Sequence, residues 1–324
     1  MNDTRRAVLD ALADGPVPGP ELADSLGVSR NAVWKHAEAL RDAGFEIASG
    51  DDGYDLVGIP EYSGPAVEFG LDAAFEIEYH DAIGSTNDRA RELADEGAGD
   101  AVVLADEQTG SRGRLDREWS APSGGVWLSA VLRPELPPAR VPVLTLAAAV
   151  ATTDAAREAG VPAEIKWPND VLVGGEGQRG VSESRSAPSR GGRKLAGILT
   201  EMEGEADRAS WVVVGVGLNA NISSSDLPEG ATSIREEVGD IDRRVFVQRL
   251  LERFDELREH PDRAVEAWRE RSATLGQRVK VELPNRAVVG EAVDVALPGA
   301  LVVETDDGEQ VRVHSGECEH LRPV

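Results

Sequence analysis

The chain has 324 residues, one cysteine (Cys318) and a formal net charge of −25 at pH 7. This length provides for two or three domains with a sizeable core, so neither a structural metal nor a disulfide, which one cysteine cannot form internally, is needed. The longest apolar run, residues 141–151, is far shorter than the roughly 20 residues of a membrane span, and the charged amino terminus lacks a signal-peptide pattern. We therefore expect a cytoplasmic protein with no membrane partner.

Acidic residues are spread along the whole chain, whereas its only lysines are Lys35, Lys166, Lys194 and Lys280. This bias is typical of proteins from salt-saturated, halophilic cytoplasm. At such salt concentrations the Debye length falls to a few ångströms, so a uniformly acidic surface costs little free energy. We interpret the charge as an adaptation to the medium and not as a sign of a particular partner.

Residues 4–57, within a domain expected over residues 1–58, have the pattern of a winged helix-turn-helix. An apolar helical face comes first, a second helix is expected between Pro20 and Gly27, Ser29 caps a third helix, and a hairpin follows. The third helix would present four side chains to a DNA major groove: Arg30, Asn31, Lys35 and His36. Residues 1–60 nevertheless contain 11 acidic and 5 basic residues, which would weaken phosphate contacts. A dimerisation or spacer module is the alternative interpretation.

Residues 59–66, with two prolines and a glycine, predict a linker. Residues 67–274 then alternate predicted strands and helices, which indicates an α/β or α+β domain with a mixed sheet. Residues 174–193 interrupt this domain with a polar, Gly-, Ser- and Arg-rich stretch that we expect to be a disordered surface insertion. Residues 275–324 contain several short alternating strands between Pro and Gly turns, which predicts a small β barrel.

Five short segments carry the polar residues that chemistry would need. They are Gly84-Ser85-Thr86-Asn87, Gln108-Thr109-Gly110-Ser111-Arg112-Gly113-Arg114, Lys166-Trp167-Pro168-Asn169-Asp170, Lys194-Leu195-Ala196-Gly197-Ile198-Leu199 and Gly215-Val216-Gly217-Leu218-Asn219. In the second, glycines let backbone N–H groups approach a ligand while two arginines bind an anion through charge-assisted hydrogen bonds. By itself such a loop is more often a solvated surface turn than a binding site, and the chain has no phosphate-loop pattern.

All five segments, in this order, resemble those of the biotin–protein ligases. With a helix-turn-helix before them and a small β domain after them, the chain resembles the bifunctional members that also repress the biotin operon. The resemblance covers nearly the whole chain. It implies an α+β multidomain protein with a catalytic domain like that of class II aminoacyl-tRNA synthetases and an SH3-like carboxyl-terminal barrel. It departs from the family at Ser111, where glycine is usual, and at the insertion.

The resemblance implies that biotin and ATP form biotinyl-5′-AMP, and that biotin then passes to a lysine of a biotin carboxyl carrier protein. Lys194 would bridge the biotin carboxylate and the α-phosphate, because a compact ammonium on a rigid strand suits two anions that must meet. Arg112 and Arg114 would close over the ligand, and Arg114 would retain the adenylate. Operator DNA is the expected second partner, read by a homodimer.

Expected ligand contacts follow from the same motifs. The biotin set is Ser85, Thr86, Asn87, Gln108, Arg112, Gly113, Arg114, Gly124, Gly125, Trp127 and Lys194. The ATP set is Arg112, Arg114, Lys166, Trp167, Asn169, Lys194 and Asn219, with Asp170 orienting Lys166 or approaching the metal. No His/Cys cluster has metal-ligand spacing, so we expect Mg²⁺ only as the ATP complex and no protein-bound metal.

Two alternative functions remain open. A lipoate–protein ligase shares the catalytic fold, although it would not be expected to carry this helix-turn-helix or the loop from Gln108 to Arg114. A DNA-binding regulator whose central domain only senses a ligand is the other alternative, and Lys194 with both loop arginines argues against it.

Overall fold

The structure is a computed structural model that describes residues 1–113, 119–174 and 192–321. Arg114 and almost all of the predicted insertion lie outside the described residues. The chain divides into two compact units, one formed by Met1–Asp72 with Asp242–Gln248 and the other by the remainder. No helix among the described residues has the length and hydropathy needed to cross a membrane.

The first unit contains the predicted helix-turn-helix and its hairpin. Its elements are α1 (Asp3–Leu12), α2 (Gly19–Ser25), α3 (Arg30–Asp42), β1 (Glu46–Gly50), β2 (Gly53–Gly58) and α4 (Gly64–Glu68). Ser29 Oγ accepts a hydrogen bond from the Ala32 backbone N–H at 3.2 Å and so caps α3. Gly53 has φ +112°, and a Cβ there would lie 2.1 Å from the Val17 carbonyl oxygen, so only glycine fits the hairpin turn.

The core of this unit is an apolar cluster under the three helices. Val8, Leu9 and Leu12 of α1 pack with Leu22 and Val33, and Phe45 and Ile47 extend the cluster to the hairpin. Their burial follows the helical spacing of apolar residues in the sequence.

A second stretch of the chain joins the first unit at residues 242–248, which sequence analysis had assigned to the central domain. The Arg243 guanidinium lies 2.7 Å from the Glu61 carboxylate and above the Tyr62 ring. Gln248 Nε2 donates hydrogen bonds to the Val67 and Phe69 carbonyls at 2.9 and 2.8 Å. These contacts tie residues 242–248 to the segment around α4, within the first unit.

The second unit is built on a seven-stranded sheet in the order β3-β4-β5-β9-β8-β7-β6. The strands are β3 (Glu76–Ile83), β4 (Ala101–Gln108), β5 (Val126–Leu132), β6 (Ala163–Lys166), β7 (Asp170–Val173), β8 (Arg193–Gly204) and β9 (Ala209–Leu218). Within the described part of the chain, β3 and β4 are the strands of this sheet that pair in parallel and the others pair antiparallel, so the sheet is mixed, as predicted. All seven residues of β5 are buried, which explains its continuous apolar sequence.

Further helices complete the α+β domain, and the first two of them contact strands of this sheet. They are α5 (Thr86–Asp95), α6 (Pro142–Glu158), α7 (Ile234–Val238), α8 (Arg243–Arg258) and α9 (Pro261–Glu270). The alanine-rich α6 is buried along most of its length, as its sequence predicts. Small side chains allow this helix to pack closely against strands and α9.

The carboxyl-terminal strands form a separate five-stranded antiparallel sheet in the order β13-β12-β11-β10-β14. They are β10 (Arg278–Leu283), β11 (Arg286–Ala296), β12 (Ala300–Thr305), β13 (Gln310–Val313) and β14 (Glu317–His320). Among the described residues the outer strands β13 and β14 do not pair with each other, so this β domain is observed as a sheet and not as a closed barrel. Trp167 Nε1 donates to the Gly299 carbonyl at 3.0 Å and links this sheet to the central domain.

Candidate active site

The second unit contains a cavity of about 450 Å³ on one face of the seven-stranded sheet. Residues from all five motifs line it, although these motifs are spread over more than 130 positions of the sequence. The pairing of β5 with β9 brings the motifs together, because these strands are distant in sequence, and β4 and β8 pair with them on either side. Apolar side chains of Leu128, Ile198 and Val216 complete the lining.

The amino-terminal end of α5 supplies a buried polar group at the cavity wall. Ser85 Oγ caps the helix by accepting from the Asp88 backbone N–H at 3.3 Å. The backbone N–H of Thr86 donates to Gln108 Oε1 at 2.7 Å, and the Thr86 hydroxyl oxygen lies 3.1 Å from the same atom. Asn87 donates through Nδ2 to Glu201 at 2.7 Å, and its Oδ1 lies 2.6 Å from Ser129 Oγ. The cavity therefore has fixed hydrogen-bonding groups that suit a neutral polar ligand.

Lys194 is the central cation of the cavity. Its ammonium lies 2.6 Å from Asp170 Oδ1 and 4.9 Å from the centre of the Trp119 ring. A Cβ on Gly197 would lie 3.3 Å from the lysine's terminal atoms, so glycine leaves room for this side chain. Asp170 is thus oriented toward Lys194. The sequence had suggested instead that it orients Lys166 or approaches the metal. An anion that enters the cavity meets a charge already held in place by a carboxylate and an aromatic ring.

The arginine loop begins next to α5. Gly110 N–H donates to the Gly84 carbonyl at 2.8 Å, which ties the loop to the first motif. Arg112 Nη2 lies 3.0 and 3.3 Å from the two oxygens of Asp88, and Arg91 pairs with the same carboxylate. Gly113 lines the cavity. Arg112 is half exposed, so its guanidinium is held beside the cavity by a surface ion pair of modest strength.

The predicted ATP residues have different positions. Lys166 and Asn169 line the cavity, and Asn169 Nδ2 donates to the Ile198 carbonyl at 2.8 Å. Trp167 also borders the cavity, but it is almost completely buried. Asn219 does not line the cavity; its amide donates to the Thr232 carbonyl at 2.9 Å and braces the neighbouring segment.

Three members of the predicted biotin set lie behind the cavity wall and not on it. Trp127 is fully buried, and its indole N–H lies 3.1 and 3.0 Å from the carbonyls of Asp106 and Pro122. Gly124 has φ +98°, and a Cβ there would lie 2.8 Å from the Asn221 carbonyl oxygen. A Cβ on Gly125 would collide with the Trp127 ring. These three residues shape a packed support, and their assignment to biotin contact stays a prediction.

Sequence analysis missed the contribution of the carboxyl-terminal sheet. Glu317 and Cys318 line the cavity, although that region has no recognisable motif. Burial raises the pKa of the Cys318 thiol to about 11, so it is protonated near neutral pH and unsuited to act as a nucleophile. Trp119, whose indole N–H has no partner among the described residues, was missed as well. Neither contribution has a local sequence signal, since both depend on distant packing.

His320 gives a prediction about pH. Burial lowers its pKa to about 4, the nearby charge of Lys166 acts in the same direction, and Thr274 Oγ1 lies 3.3 Å from its ring. Because the unfolded state binds a proton near the ordinary value of about 6.5, stability is lost as pH falls from there toward 4. We expect the free energy of unfolding to fall by about 2 kcal/mol between pH 7 and pH 5 from this residue.

Urea titrations at both pH values check this expectation. The His320→Gln variant should lose that part of the pH dependence, whereas His314→Gln, at an exposed position on the same domain, should retain it. Equal pH dependence in wild type and His320→Gln would contradict the assignment.

The third helix of the first unit presents a separate candidate surface. Arg30, Asn31 and Lys35 are exposed on α3 and His36 is half-buried. Trp34, which sequence analysis did not single out, is 51% exposed among them. The hairpin tip carries the exposed carboxylates Asp51 and Asp52. The helix face is therefore suited to reading bases, while the hairpin tip opposes contact with phosphates.

Among the residues that the structure describes, no group of three or more His, Cys, Asp or Glu side chains is arranged to hold a metal ion. The acidic neighbours of the cavity cations are instead engaged in ion pairs, such as Asp170 with Lys194.

All three predicted domains are similar in sequence to known protein families. Residues 80–219 match the biotin/lipoate A/B protein ligase family, residues 274–321 the biotin protein ligase C-terminal domain, and residues 4–54 an HTH domain. The bifunctional ligase/repressor BirA of Bacillus subtilis is 35% identical over 94% of this chain and 93% of its own length. A biotin–[acetyl-CoA-carboxylase] ligase of Mycobacterium tuberculosis is 37% identical over 74% and 86%, respectively.

A solved structure shows the same fold for most of the chain. The biotin protein ligase from Aquifex aeolicus in complex with biotin and ATP matches with a TM-score of 0.60 and 26% identity. The match covers 76% of this chain and 99% of that one.

Proposed function

This chain belongs to the family of bifunctional biotin ligase/repressors, and we propose that its cavity is the place where ATP activates biotin. The protein is a biotin–[acetyl-CoA-carboxylase] ligase with an amino-terminal helix-turn-helix domain. The observation that carries the assignment to the cavity is that all five motifs line it around one fixed ammonium, that of Lys194.

Biotin fits the two kinds of surface in the cavity. Its ureido group has two N–H donors and a carbonyl acceptor, which match the polar wall formed by Ser85, Thr86 and Gln108. Its thiophane ring and valeryl chain suit the apolar lining of Leu128 and Val216. This arrangement would direct the biotin carboxylate toward the cations that line the cavity, Lys194 and Arg112.

The chemical problem is that two anions must react. The biotin carboxylate attacks the α-phosphorus of ATP, forming the acyl-phosphate bond of biotinyl-5′-AMP and releasing pyrophosphate. Lys194 and Arg112 would stabilise the negative charge that accumulates on the phosphate oxygens, and Lys166 and Asn169 would bind the remaining phosphates. Magnesium enters with ATP as its phosphate complex. Arg114, outside the described residues, is proposed from the resemblance to retain the adenylate.

In the second step, the ε-amine of a lysine on a biotin carboxyl carrier domain attacks the carbonyl carbon of the adenylate. An amide forms and AMP leaves with the bonding electrons. The adenylate must be protected from water until the carrier arrives, because hydrolysis would waste it. The walls contributed by the arginine loop and by Glu317 and Cys318 would restrict access to the cavity.

The test is biotin-dependent exchange of labelled pyrophosphate into ATP. A biotin ligase exchanges with biotin and not with lipoate, whereas a lipoate ligase shows the reverse preference. A regulator without ligase chemistry shows no exchange with either. Absence of biotin-dependent exchange would overturn the proposal.

A second role in repression is favoured by the exposed face of α3. Arg30, Asn31 and Lys35 are free to enter a major groove, and the relatives that match over nearly the whole chain are ligase/repressors. We propose a homodimer that brings two such helices to the half-sites of an operator.

Finer features of the protein are proposed on the same basis. We propose a halophilic source, which the acidic, lysine-poor composition supports, and a cytoplasmic location, since ATP and carrier proteins occur there. The carboxyl-terminal sheet is proposed to be a variant of the SH3-like barrel of the family, which the match to its C-terminal domain supports.

A further inference from the structure

A continuous hydrogen-bond chain runs from the cavity wall to a carboxylate outside the cavity. Gln108 Oε1 accepts from Thr86, and Thr86 Oγ1 lies 2.8 Å from Ser129 Oγ. Ser129 Oγ is 2.6 Å from Asn87 Oδ1, and Asn87 Nδ2 donates to Glu201 Oε2 at 2.7 Å. Glu201 is the end of the chain, and unlike Gln108, Thr86 and Asn87 it does not line the cavity.

The carboxylate sets the direction of this chain. An ionised carboxylate can only accept hydrogen bonds, so the end of the Asn87 amide that faces Glu201 must be its NH₂ group. The carbonyl end of Asn87 then faces Ser129, whose hydroxyl has only one proton and must donate it there. Ser129 is consequently left to accept from the Thr86 hydroxyl. One acceptor-only group thus determines which atoms donate at three successive positions.

Burial makes a wrong orientation costly. Ser129 is completely inaccessible, and Thr86 and Asn87 are 3% and 9% exposed. At such positions an unpaired donor or acceptor costs about 1–3 kcal/mol, because water cannot replace the lost partner. The chain is also sterically confined, since a Cβ on Gly215 would lie 2.1 Å from Asn87 Oδ1. Asn87 therefore has little freedom to reorient without Glu201.

The chain ends at the Thr86 hydroxyl, and the backbone N–H of the same residue fixes a second group that the ligand can use. The Thr86 backbone N–H holds the oxygen end of the Gln108 amide, which leaves Nε2 as the opposite end. Among the described residues Nε2 has no protein partner, and Gln108 lines the cavity. A fixed donor at this position is suited to a polar acceptor such as the ureido carbonyl.

We propose that Glu201 is a positioning residue for biotin, which acts through Asn87 and Ser129 on the hydroxyl of Thr86, a residue that lines the cavity. This inference rests on the proposed function of the cavity. An ion pair with Arg91 does not account for the role of Glu201, because Arg91 already pairs with Asp88 and lies 3.4 Å from the Glu201 carboxylate. The bond from Asn87 is considerably shorter, at 2.7 Å.

The first test replaces Glu201 with methionine, which has similar length and no acceptor of comparable strength. We expect the KM for biotin to rise about 10- to 100-fold, the range that corresponds to one unsatisfied buried donor. The KM for ATP and kcat at saturating biotin should stay within about twofold of wild type. Glu201→Gln should restore most of the biotin affinity, since its side-chain oxygen can accept from Asn87. Glu203→Met, which removes the same charge from an exposed position of β8, is the matched control.

A double-mutant cycle separates positioning from general structural damage. With Asn87→Ala, Glu201 has no amide to orient, so adding Glu201→Met should change the KM for biotin less than about twofold further. Fully additive effects of the two substitutions would overturn the proposal. If Glu201→Met does not fold, Ser129→Ala breaks the next link and should show the same selective rise in the KM for biotin; a wild-type value there would also overturn it.

The outcomes also separate this inference from the function on which it rests. A wild-type enzyme without biotin-dependent pyrophosphate exchange would contradict the proposed function of the cavity. An active wild type together with an unchanged KM for biotin in Glu201→Met would contradict the role of Glu201 alone.

Discussion

Replacing Lys194 with glutamine is expected to slow biotinyl-adenylate formation about 10²- to 10³-fold. Its ammonium is fixed by Asp170 at 2.6 Å and by the Trp119 ring, so no reorganisation is needed when charge develops on the α-phosphate. Loss of one preorganised stabiliser of this kind typically raises a barrier by about 2.7–4 kcal/mol. Glutamine keeps a similar length and donors but has no charge. Single-turnover formation of labelled adenylate from biotin and ATP measures the effect directly.

The control for this prediction is Lys280→Gln. Lys280 pairs with Glu282 on the carboxyl-terminal sheet and does not line the cavity, so its loss should leave adenylate formation unchanged. If the rate for Lys194→Gln stays within about twofold of wild type, Lys194 does not stabilise the transition state. Substrate binding should fall less than the rate, because the contact strengthens as the two anions approach.

Local signals in the sequence predicted most helices and strands of the protein. Gly27 marks the end of α2 and Ser29 the beginning of α3, because a left-handed glycine and a hydroxyl cap act within one helical turn. The buried strands follow from short apolar runs, such as Val126–Leu132. The short helix α4 was missed, since only Ser63 marks its beginning within a segment that resembles a linker.

Strand order could not be predicted in the same way. β5 lies between β4 and β9, and β9 begins 77 residues after β5 ends. Such pairings are chosen by packing across the whole sheet, and nothing in either strand alone specifies the partner. For the same reason the sequence did not predict that residues 242–248 belong to the first unit, because the residues on both sides of this segment belong to the second unit.

Sequence motifs predicted part of the candidate site but not the pairings between its side chains. Residues of all five motifs line one cavity, and the relatives confirm the family to which the motifs belong. The pairing of Asp170 with Lys194 and that of Glu201 with Asn87 were not predicted, because each joins two strands or a strand and a helix. Resemblance therefore predicts a function for the site, whereas the structure shows what holds its side chains in place.

Alanine at Arg30 is expected to abolish ligand-dependent operator binding. Arg30 is exposed in the first turn of α3, where recognition helices contact base edges. A bidentate contact of arginine with guanine contributes about 1–3 kcal/mol, and a dimer would lose it at both half-sites, so affinity should fall about 10²-fold or more. The acidic composition of this unit and the carboxylates at Asp51 and Asp52 mean that phosphate contacts contribute little. Base contacts must consequently provide most of the affinity, particularly at molar salt, where the Debye length is about 3 Å.

Footprinting of the region upstream of the protein's own biotin genes, at molar salt with and without biotin and ATP, measures this loss. Protection should appear only when the adenylate can form, because we expect the adenylate to favour the dimer that spans both half-sites. Arg6→Ala removes the same charge from an exposed position of α1, and it should preserve protection that Arg30→Ala eliminates. A chain lacking residues 1–59 should keep its ligase activity and lose the footprint. If the intact chain protects no DNA under any ligand condition while the truncated chain remains fully active, the helix-turn-helix is a dimerisation module or a relic, and repression is not a function of this protein.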